Sequence, residues 1–388
     1  MLIKLSNEVR DYAWGSRTLM ADRLAISPTG GPMAEIWFGT HPRSEAWVGP
    51  QRQALSTVLG RQLPFMMKFL AADFPLSIQL HPNGQQAVAG FEAENAMKIE
   101  LDDAVRNFRD HHAKREALVA ITDFDLLVGF EASEVIQARL TELTGWVSEA
   151  SASLLKRYVT LLQAPDGHRA LIGDIFAGDK PSEIQKLLLS ELCDLDVTAD
   201  NASLIDVELL HQLGAKFGAD RGLLLALAMK RFHLAAGEAL MVETGVAHCY
   251  LSGLGIEIMT SSDNVLRGGL TEKHVSPPDF MAMLDIAASL ESEPSSSTML
   301  LRGLDRYNFA TSDFALHRVD VSSRNLLVDF GLPSESLLLC VEGELAVSNS
   351  LDERLVLRRG EAAYLSGDAN FYSISGSGSG YLGSGAAS

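Results

Sequence analysis

The chain has 388 residues, of which 47% are hydrophobic and 21% are charged. These proportions exclude a chain that is disordered throughout, and the length predicts two or three domains. Lysine and arginine number 32 against 50 aspartates and glutamates, a formal charge of −18, and no segment forms a basic stripe. We therefore expect no nucleic-acid partner, and any phosphorylated ligand needs a local cluster of cations to hold it.

The three cysteines, Cys193, Cys249 and Cys340, lie far apart and form no Cys-x-x-Cys pair. This pattern predicts neither a disulfide framework nor a thiolate metal site, and it is typical of a reducing cytoplasm. The residues from Met1 to Arg10 alternate between apolar and polar, and no run of about 18 apolar residues occurs. We expect a cytoplasmic protein without a signal peptide or a membrane span.

The first third of the chain, from Met1 to about Phe130, predicts a β-rich unit. Its apolar runs are short and end at glycine, proline or other turn-forming residues. One helical piece is expected around Asp102 to Arg115. The predicted strands are Ala34–Gly39, Glu45–Val48 and Leu76–Leu80.

The next stretch, about residues 131–228, changes to the period of a helix. Ser133 is the expected N-cap of the first helix, and Lys180–Glu183 opens a later one. Residues 131–228 are therefore expected to form a helical block inserted into a β protein. The periodic runs are Val135–Leu143, Leu154–Leu162, Ile184–Leu188, Leu204–Leu213 and Leu223–Met229.

After Gly237 the pattern returns to strands. Residues 292–297 are rich in serine and are interpreted as a linker, and the Gly- and Ser-rich tail 375–388 is expected to fray. Short strands separated by glycines beyond the linker are typical of a small barrel or sandwich. The predicted strands are Ala239–Val242, Cys249–Leu251, Ile256–Ile258, Phe314–Val319, Leu337–Val347, Leu355–Leu357 and Ala362–Leu365.

The first candidate site is the segment Ser77-Ile-Gln-Leu-His-Pro-Asn83. On a strand, Gln79 and His81 are two positions apart and project to the same face, which is a simple way to offer two ligands to one metal ion. The alternative is a hydrogen-bonded structural pair, which is the commoner role of a polar pair on a strand.

Two further segments carry residues of the same kind. Lys114 and Glu116 are separated by one residue, and His248 lies between short predicted strands. Judged alone, the lysine and the glutamate are compatible with a solvated helix end, and the histidine with a hydrogen-bonded core residue.

The fourth segment runs from Gly255 to Lys273. Glu257 stands between isoleucines in a predicted strand, so we expect it to point into the protein, where a carboxylate needs a partner. Ser261-Ser-Asp-Asn264 is a turn with side chains suited to oxygen-rich ligands, and Arg267 and Lys273 supply cations beyond it. The segment indicates a site for an anionic sugar, and the alternative is a polar surface turn.

In chain order these segments form a combination of motifs that resembles the type I phosphomannose isomerases. The resemblance runs from about residue 10 to 290 and is most specific between Ser262 and Thr271. Its motifs are Tyr12-Ala-Trp-Gly-Ser16, Ala34-Glu-Ile-Trp-Phe-Gly-Thr-His-Pro42, Leu63-Pro-Phe-Met-Met-Lys-Phe-Leu70, Gln79-x-His81-Pro82, Lys114-x-Glu116, His248-x-Tyr250-Leu-x-Gly253 and Ser262-Asp-Asn-Val-x-Arg267-x-Gly-Leu-Thr271.

The resemblance implies a cupin-type barrel that holds one zinc ion per chain. The family's zinc ligands, a glutamine, two histidines and a glutamate, fall on Gln79, His81, Glu116 and His248. Oxygen and nitrogen ligands of this kind suit zinc, although iron, cobalt and manganese are compatible with the same set. The sequence departs from the family pattern at three positions: Arg115 and Glu272 stand where proline is usual, and Cys249 where alanine is usual.

The fold that follows from the resemblance and the periodicity is mainly β with an α-helical insertion. It consists of two cupin-like β-barrels of the jelly-roll type and a helical domain. Residues 1–130 and 229–292 are expected to form a discontinuous zinc-binding catalytic domain, 131–228 the helical insertion, and 293–388 a C-terminal cupin-like domain. We expect the last to be metal-free, because His317 is its only histidine.

The activity that the resemblance implies is the interconversion of mannose 6-phosphate and fructose 6-phosphate by proton transfer through an enediol. Lys114 and Glu257 are the candidate bases, with Lys114 preferred because it is two residues from a proposed ligand, and Arg267 is expected to stabilise the enediolate or bind phosphate. The expected pocket residues are Trp14, Lys68, Ser77, Tyr250 and Lys273, of which Trp14 and Tyr250 are equally compatible with packing. A monomer is favoured.

Two competing functions remain open. One is a metal cupin of the oxygenase kind, which usually presents His-x-His and a glutamate a few residues later, whereas Gln85, Gln86 and Ala87 follow His81. The other is a non-catalytic metal- or sugar-binding cupin, which needs no paired acid, base and cation.

Overall fold

The computed structural model describes residues 1–196, 204–323, 328–332 and 334–385. Within them the chain is mainly β, with helices concentrated in the middle, as the sequence predicts. The strands are β1 (Leu2–Ser6), β2 (Val9–Arg10), β3 (Glu35–Phe38), β4 (Trp47–Val48), β5 (Gln53–Ala54), β6 (Phe65–Ala72), β7 (Ile78–Leu80), β8 (Glu116–Ala120), β9 (Phe124–Phe130), β10 (Met229–Leu234), β11 (Ala239–Val242), β12 (His248–Thr260), β13 (Leu266–Gly269), β14 (Pro294–Ser295), β15 (Ser297–Leu301), β16 (Leu304–Tyr307), β17 (Phe314–Asp320), β18 (Val328–Phe330), β19 (Ser336–Glu342), β20 (Glu344–Asn349), β21 (Arg354–Arg358), β22 (Ala362–Leu365), β23 (Tyr372–Gly376) and β24 (Ser379–Gly385). The helices are α1 (Leu19–Leu24), α2 (Leu55–Leu59), α3 (Gly84–Ala96), α4 (Ser133–Leu143), α5 (Glu149–Leu162), α6 (Gly167–Ile175), α7 (Glu183–Cys193), α8 (Val207–Phe217), α9 (Gly222–Ala228), α10 (Pro277–Met283) and α11 (Ile286–Glu291).

The strands pair antiparallel and form three sheets. The large sheet has eleven strands: its main path is β14-β11-β8-β12-β6-β3-β2, β7 and β9 also pair with β12, and β13 and β10 join through them. The C-terminal sheet has nine strands in the order β15-β16-β17-β24-β19-β22-β1-β4-β5, so it includes three strands from the start of the chain. The small sheet has the order β18-β23-β20-β21.

Strand β12 is shared by two halves of the large sheet. Residues Gly253 to Thr260 pair with β6, whereas the first residues of the strand, from His248, pair with β7 and β9. Gly253 lies at the change of partner with a φ of 130°, and a Cβ there would lie 2.6 Å from the Asp123 carbonyl oxygen, so the bend requires glycine. The two strands predicted in this region are therefore one strand, which carries both His248 and Glu257.

Helices α4 to α9 lie between β9 and β10, in the stretch predicted to be helical; residues 197–203 of that stretch lie outside the described residues. Ser182 caps α7 in a capping box with Gln185, as the sequence of its first turn indicates. The N-cap prediction for Ser133 is wrong by one position, because Ala132 is the N-cap of α4. Leucines and isoleucines of these helices form one buried cluster with residues of β7 and β9.

The helix predicted around residues 102–115 is wrong, since these residues form turns and loop up to the start of β8. The buried side chain of Arg106 donates hydrogen bonds to the carbonyl of Phe108 and pairs with Glu94 at 3.0 Å. Glu94 in turn accepts hydrogen bonds from the backbone N–H groups of Asn107 and Phe108. These side chains satisfy backbone groups that a helix would otherwise satisfy.

The prediction that the tail frays is wrong for residues 379–385. They form β24, a buried strand that pairs with both β17 and β19. A Cβ on Gly383 would collide with the side chain of Met67 in the large sheet. The glycines therefore permit close packing of two sheets, while residues 386–388 lie outside the described residues.

The large sheet and the C-terminal sheet share a buried apolar cluster that includes Phe65, Ile258, Leu337 and Tyr381. The predicted linker at residues 292–297 runs along the edge of the large sheet, where β14 pairs with β11. No helix in the described part of the chain is long and apolar enough to span a membrane.

Candidate active site

Four predicted metal ligands meet at one end of the large sheet. Gln79 lies on β7, His81 follows the end of that strand, and Glu116 and His248 are the first residues of β8 and β12. His248 stands directly opposite Gln79 in the pairing of β12 with β7. His81, Glu116 and His248 are buried, with side-chain exposures of 2% or less.

The two histidines direct one nitrogen each toward the same carboxylate. Nε2 of His248 lies 2.9 Å from Oε1 of Glu116, and Nε2 of His81 lies 3.2 Å from Oε2. Nδ1 of His81 lies 2.8 Å from the Asn264 carbonyl oxygen, and Nδ1 of His248 lies 3.1 Å from that of Val246. We assign the ring proton to Nδ1 in both, because only N–H can donate to a carbonyl, and this leaves both Nε2 lone pairs facing Glu116.

This arrangement fits a divalent cation. Nε2 of His248 is buried without a hydrogen-bond partner, although Glu116 lies close to it, because two lone-pair acceptors do not bond to each other. Burial and the Lys114 ammonium lower the pKa of His81 to about 3, so this imidazole is neutral at neutral pH. Burial opposes ionisation of Glu116, but the adjacent Lys114 ammonium holds the pKa of this carboxyl well below its usual range. A carboxylate with two imidazole nitrogens is a donor set suited to zinc.

Lys114 lies beside the ligand cluster formed by His81, Glu116 and His248. Its Nζ is 3.1 Å from Nε2 of His81 and 3.2 Å from Oε2 of Glu116, and the side chain is buried. Lys114 and Glu116 thus reach the same point from alternate positions of one extended segment, since side chains two apart share a face.

Glu257 lies in a separate chain of buried charges. Lys68 stands between two carboxylates, with Nζ at 2.5 Å from Glu257 and 3.1 Å from Glu35. The hydroxyl of Tyr250 donates to Glu257 at 2.9 Å and lies 3.4 Å from Glu116. Tyr250 therefore connects the buried charges around Glu257 to Glu116 of the ligand cluster.

The protonation states of this chain follow from burial and the neighbouring charges. Burial acts to lower the pKa of Lys68, but the carboxylates of Glu257 and Glu35 raise it above its ordinary value, so Lys68 stays cationic. Burial raises the pKa of Glu257, and the opposing effect of Lys68 is partly offset by Glu116. Burial, together with Glu257 and Glu116, raises the pKa of Tyr250 well above its ordinary value, which keeps its hydroxyl a donor.

A cavity of about 590 Å³ opens above these groups. Gln79, Lys114, Glu116 and Glu257 form part of its wall, whereas His81 and His248 are buried behind it. The other residues predicted from the sequence that line the cavity are Trp14, Lys68, Tyr250, Arg267 and Lys273. Ser77 lies one residue before β7 and is not part of the wall.

One side of the cavity is strongly cationic. Arg267 on β13 and Lys273 form no ion pair with a carboxylate of the described residues, and both line the cavity with Arg109 and Arg43. Burial and the charge of Arg109 lower the pKa of Arg267, and burial, Arg267 and Arg109 lower that of Lys273. Cations that repel one another in a half-buried wall favour an anionic ligand.

Comparison with known proteins agrees with the geometry of this site. A model of the catalytic domain of type I phosphomannose isomerase matches residues 2–133. The mannose-6-phosphate isomerase of Salmonella typhimurium is 31% identical over 407 aligned residues, which cover 97% of each chain. The chain belongs to the type I phosphomannose isomerase family. The resemblance predicted from the motifs is thereby confirmed.

Other members of the phosphomannose isomerase family match over nearly the full length. The mannose-6-phosphate isomerase of Escherichia coli is 29% identical over 401 residues, again 97% of each chain. A crystal structure of a mannose 6-phosphate isomerase bound with zinc and yttrium has a TM-score of 0.85 to this chain, with 28% identity and 99% of each chain covered.

Ser262 and Asn264 of the family motif form hydrogen bonds with other groups of the protein. The sequence alone suggested side chains for an oxygen-rich ligand, but Ser262 donates to the Asp110 carboxylate and the amide of Asn264 donates to the carbonyl of His112. The Asn264 side-chain oxygen accepts from the N–H of Arg109, and its backbone carbonyl orients His81. The motif thus fixes the loop that carries Arg109 and the ring of a proposed ligand.

Sequence reasoning missed several wall residues. Arg109 was assigned to a helix that does not form. Arg43 follows the Thr-His-Pro motif and lies outside every predicted strand and helix. Arg43 and His41 both contact Asp263, at 3.1 and 3.5 Å. The available signal was the presence of two acidic residues, Glu35 and Asp263, within the family motifs, since both also line the cavity.

The three departures from the family pattern have separate surroundings. Arg115 points away from the ligand cluster and pairs with Asp313 at 2.5 Å and with Glu243 at 3.4 Å. Glu116 lies between His81 and His248. Cys249 is buried and its thiol lies 2.9 Å from the Leu76 carbonyl oxygen. Glu272 lines the cavity.

Proposed function

We propose that this chain is a zinc-dependent aldose-ketose isomerase that interconverts mannose 6-phosphate and fructose 6-phosphate. The observation that carries the proposal is that a carboxylate with two imidazoles lies at one cavity of about 590 Å³ together with Arg267 and Lys273, which have no carboxylate partner among the described residues. That volume lies in the range of small-molecule sites, and its two chemistries match the sugar oxygens and the phosphate of one substrate.

The four proposed zinc ligands are Gln79, His81, Glu116 and His248. Their support is the convergence of the three buried groups within 4.8 Å of one another and the position of Gln79 opposite His248. Zinc, when bound there, polarises the sugar oxygens as a Lewis acid. Asn264 and Val246 hold the imidazoles in the orientation that such binding requires.

Isomerisation moves a proton between carbon 2 and carbon 1 through an enediol, so the site needs an acid–base group at the sugar. We propose Lys114 for this role, because its Nζ lies at the cavity wall beside Glu116. Glu257 is the alternative. Its two carboxylate oxygens already face Lys68 and Tyr250, which favours a role in holding the charge of the wall.

The phosphate end of the substrate is proposed to lie against Arg267 and Lys273, and stabilisation of the enediolate is the alternative role of Arg267. Their freedom from carboxylate partners in the described residues supports this assignment. Trp14, Lys68 and Tyr250 are proposed as substrate contacts because they line the same wall. The assignment of Ser77 stays a prediction.

We further propose that the sheets form two cupin-like jelly-roll units, with the division 1–130 and 229–292, 131–228, and 293–388. Antiparallel pairing and the discontinuous origin of the large sheet support it, while β1, β4 and β5 tie the first residues to the C-terminal sheet. A cytoplasmic monomer without a metal in the C-terminal unit and without a nucleic-acid partner completes the proposal. Its support is the set of free cysteines and the charge of −18.

The two competing functions have less support. Gln85 and Gln86 lie in the first turn of α3, where Gln86 forms the capping box with Asn83, so an oxygenase-type ligand after His81 is missing. A non-catalytic binding cupin gives no reason for Lys114, Glu257 and Arg267 to line one cavity. Family membership also favours the isomerase.

The test is a measurement of zinc content together with isomerase activity on mannose 6-phosphate. We expect one zinc ion per chain and, in heavy water, product that carries deuterium at carbon 1 or carbon 2. Bound zinc without isomerase activity on any phosphosugar would contradict the proposal and favour a binding protein.

A further inference from the structure

A second group of cations lies where the large sheet meets the C-terminal sheet. A cavity of about 230 Å³ is lined by Arg23, Arg318 and Arg359. These arginines come from α1, from β17 and from the turn after β21, so only the fold brings them together. None of them lines the candidate active site.

Two of the three guanidinium groups lack a carboxylate partner within the described part of the chain. Arg318 pairs with Asp320 at 3.1 Å, whereas the side chains of Arg23 and Arg359 form no ion pair or hydrogen bond within the described residues. Glu342 is the one acidic residue of the wall. Since the chain carries 50 carboxylates against 32 basic residues, arginines without partners around one cavity leave a local positive charge on an acidic protein.

The walls of this cavity belong to both sheets. Ala120 is the last residue of β8 and Gly237 lies in the turn before β11, both in the large sheet, while Ser379 and Tyr381 come from β24 of the C-terminal sheet. The Tyr307 hydroxyl donates a 2.7 Å hydrogen bond to the Gly237 carbonyl, which joins the two sheets beside the cavity. Gly237 has a φ of 91°, and a Cβ there would lie 3.9 Å from the guanidinium of Arg318.

We propose that this cavity is a second anion site, which binds the phosphate group of inorganic phosphate or a small phosphate ester and thereby stabilises the contact between the two sheets. Arginine presents forked N–H donors that match phosphate oxygens, and three of them around a small polar cavity form such a receptor. The site is separate from the proposed isomerase chemistry. A ligand that binds only the folded chain raises its unfolding temperature.

The experiment compares thermal unfolding in inorganic phosphate and in chloride at matched ionic strength. We expect Arg359→Met and Arg23→Met to need about tenfold more phosphate than wild type for the same rise in Tm, the loss of one charge-assisted contact. Arg358→Met is the matched control, because Arg358 is the preceding residue, is 78% exposed and does not line the cavity. It should respond as wild type does.

A second set of variants separates this site from the active site. In an Arg267→Met background, the phosphate response should persist and then fall when Arg359→Met is added. A response that Arg359→Met leaves unchanged, or that Arg267→Met alone abolishes, would overturn the inference, and neither result depends on isomerase activity. Repeating the titration with glycerol 3-phosphate tells whether esters bind more tightly than the free ion. Crystals grown with tungstate should show density among the three arginines, and a structure without it contradicts the site.

Discussion

The large sheet and the C-terminal sheet are built from the same kind of antiparallel strands, but they bury different side chains. Beyond residue 296, the described residues bury serines and one asparagine among the polar types, and no charged residue. The large sheet, its loops and helix α3 bury acids and bases. These include Glu35, Lys68, His81, Glu94, Arg106, Lys114, Glu116, His248 and Glu257.

This difference has a physical meaning. Taking an ion out of water costs several kcal/mol unless a partner and hydrogen bonds compensate it, and well-packed apolar residues are often at least as stable. The C-terminal sheet shows that antiparallel strands of this kind can pack with an apolar interior that holds no charged side chain among the described residues. The charges of the large sheet are therefore best explained by chemistry, since perturbed titratable groups concentrate at functional sites.

The largest expected effect comes from removing a proposed ligand. His248→Ala should lose bound zinc and reduce turnover by more than about 100-fold, while circular dichroism stays that of the wild type. His317→Ala in the C-terminal sheet is the matched control and should change neither zinc content nor activity. Full zinc retention in His248→Ala would remove this residue from the ligand set.

The two candidate bases give the next effect. Lys114→Met should lower turnover at saturating mannose 6-phosphate by about 10²- to 10⁴-fold, the usual contribution of an acid–base group. Glu257→Gln keeps shape and hydrogen bonding, so we expect a smaller loss. Lys4→Met, which breaks the partly exposed pair of Glu361 with Lys4 on β1 of the C-terminal sheet, should be neutral.

Steady-state kinetics with a label distinguishes the outcomes. Exchange of substrate hydrogen with solvent should disappear with Lys114→Met and persist with Glu257→Gln. Near-normal turnover of Lys114→Met at saturation, with a large loss in Glu257→Gln, would reverse the assignment.

A smaller effect is expected at the cationic side of the cavity. Arg267→Met should lower kcat/KM strongly and affect kcat, whereas Lys273→Met should mainly raise KM if it is the more peripheral contact. Arg306→Met, an exposed arginine on β16 of the C-terminal sheet, is the control. Equal and negligible effects of both active-site substitutions would exclude this segment from substrate binding.

The smallest effect concerns the ion pair that connects the two regions. Arg115 and Asp313 are about one-third exposed, at 30% and 33%, so Asp313→Asn should cost about 0 to 1 kcal/mol of unfolding free energy and leave zinc content unchanged. Denaturant unfolding and zinc analysis check this. Loss of zinc at unchanged stability would instead show that Arg115 positions Glu116.

The sequence predicts the central part of the site because its residues lie on short extended segments. Gln79 and His81 are two positions apart on a predicted segment of strand, so strand geometry alone puts this pair on one face. Lys114 and Glu116 lie at the end of a stretch that is predicted to be helical, and the family motif alone assigns them to the site. The meeting of these pairs with His248 depends on long-range pairing, which periodicity does not reveal. The family motifs supplied that information.

The errors of the sequence analysis arise where tertiary contacts decide local structure. The segment from Asp102 to Arg115 has helical composition, yet buried contacts between Arg106 and Glu94 satisfy its backbone without a helix. The tail has the composition of a flexible segment, yet its glycines pack against Met67. Arg109 was out of reach for the first reason, because its position depends on Asn264, more than 150 residues away.

The pairing of β1 with β22 has a consequence for synthesis of the chain. Leu2 pairs with Leu365, so the first strand emerges from the ribosome roughly 360 residues before β22, its partner along one edge, while only Leu5 and Ser6 pair with β4 along the other edge. At about 5 to 20 residues per second, it waits on the order of 20 to 70 s. We expect Leu2–Ser6 to stay open to proteases in nascent chains arrested before residue 362 and to become protected in chains arrested after residue 385 has emerged, whereas β6, β8 and β12 can pair much earlier.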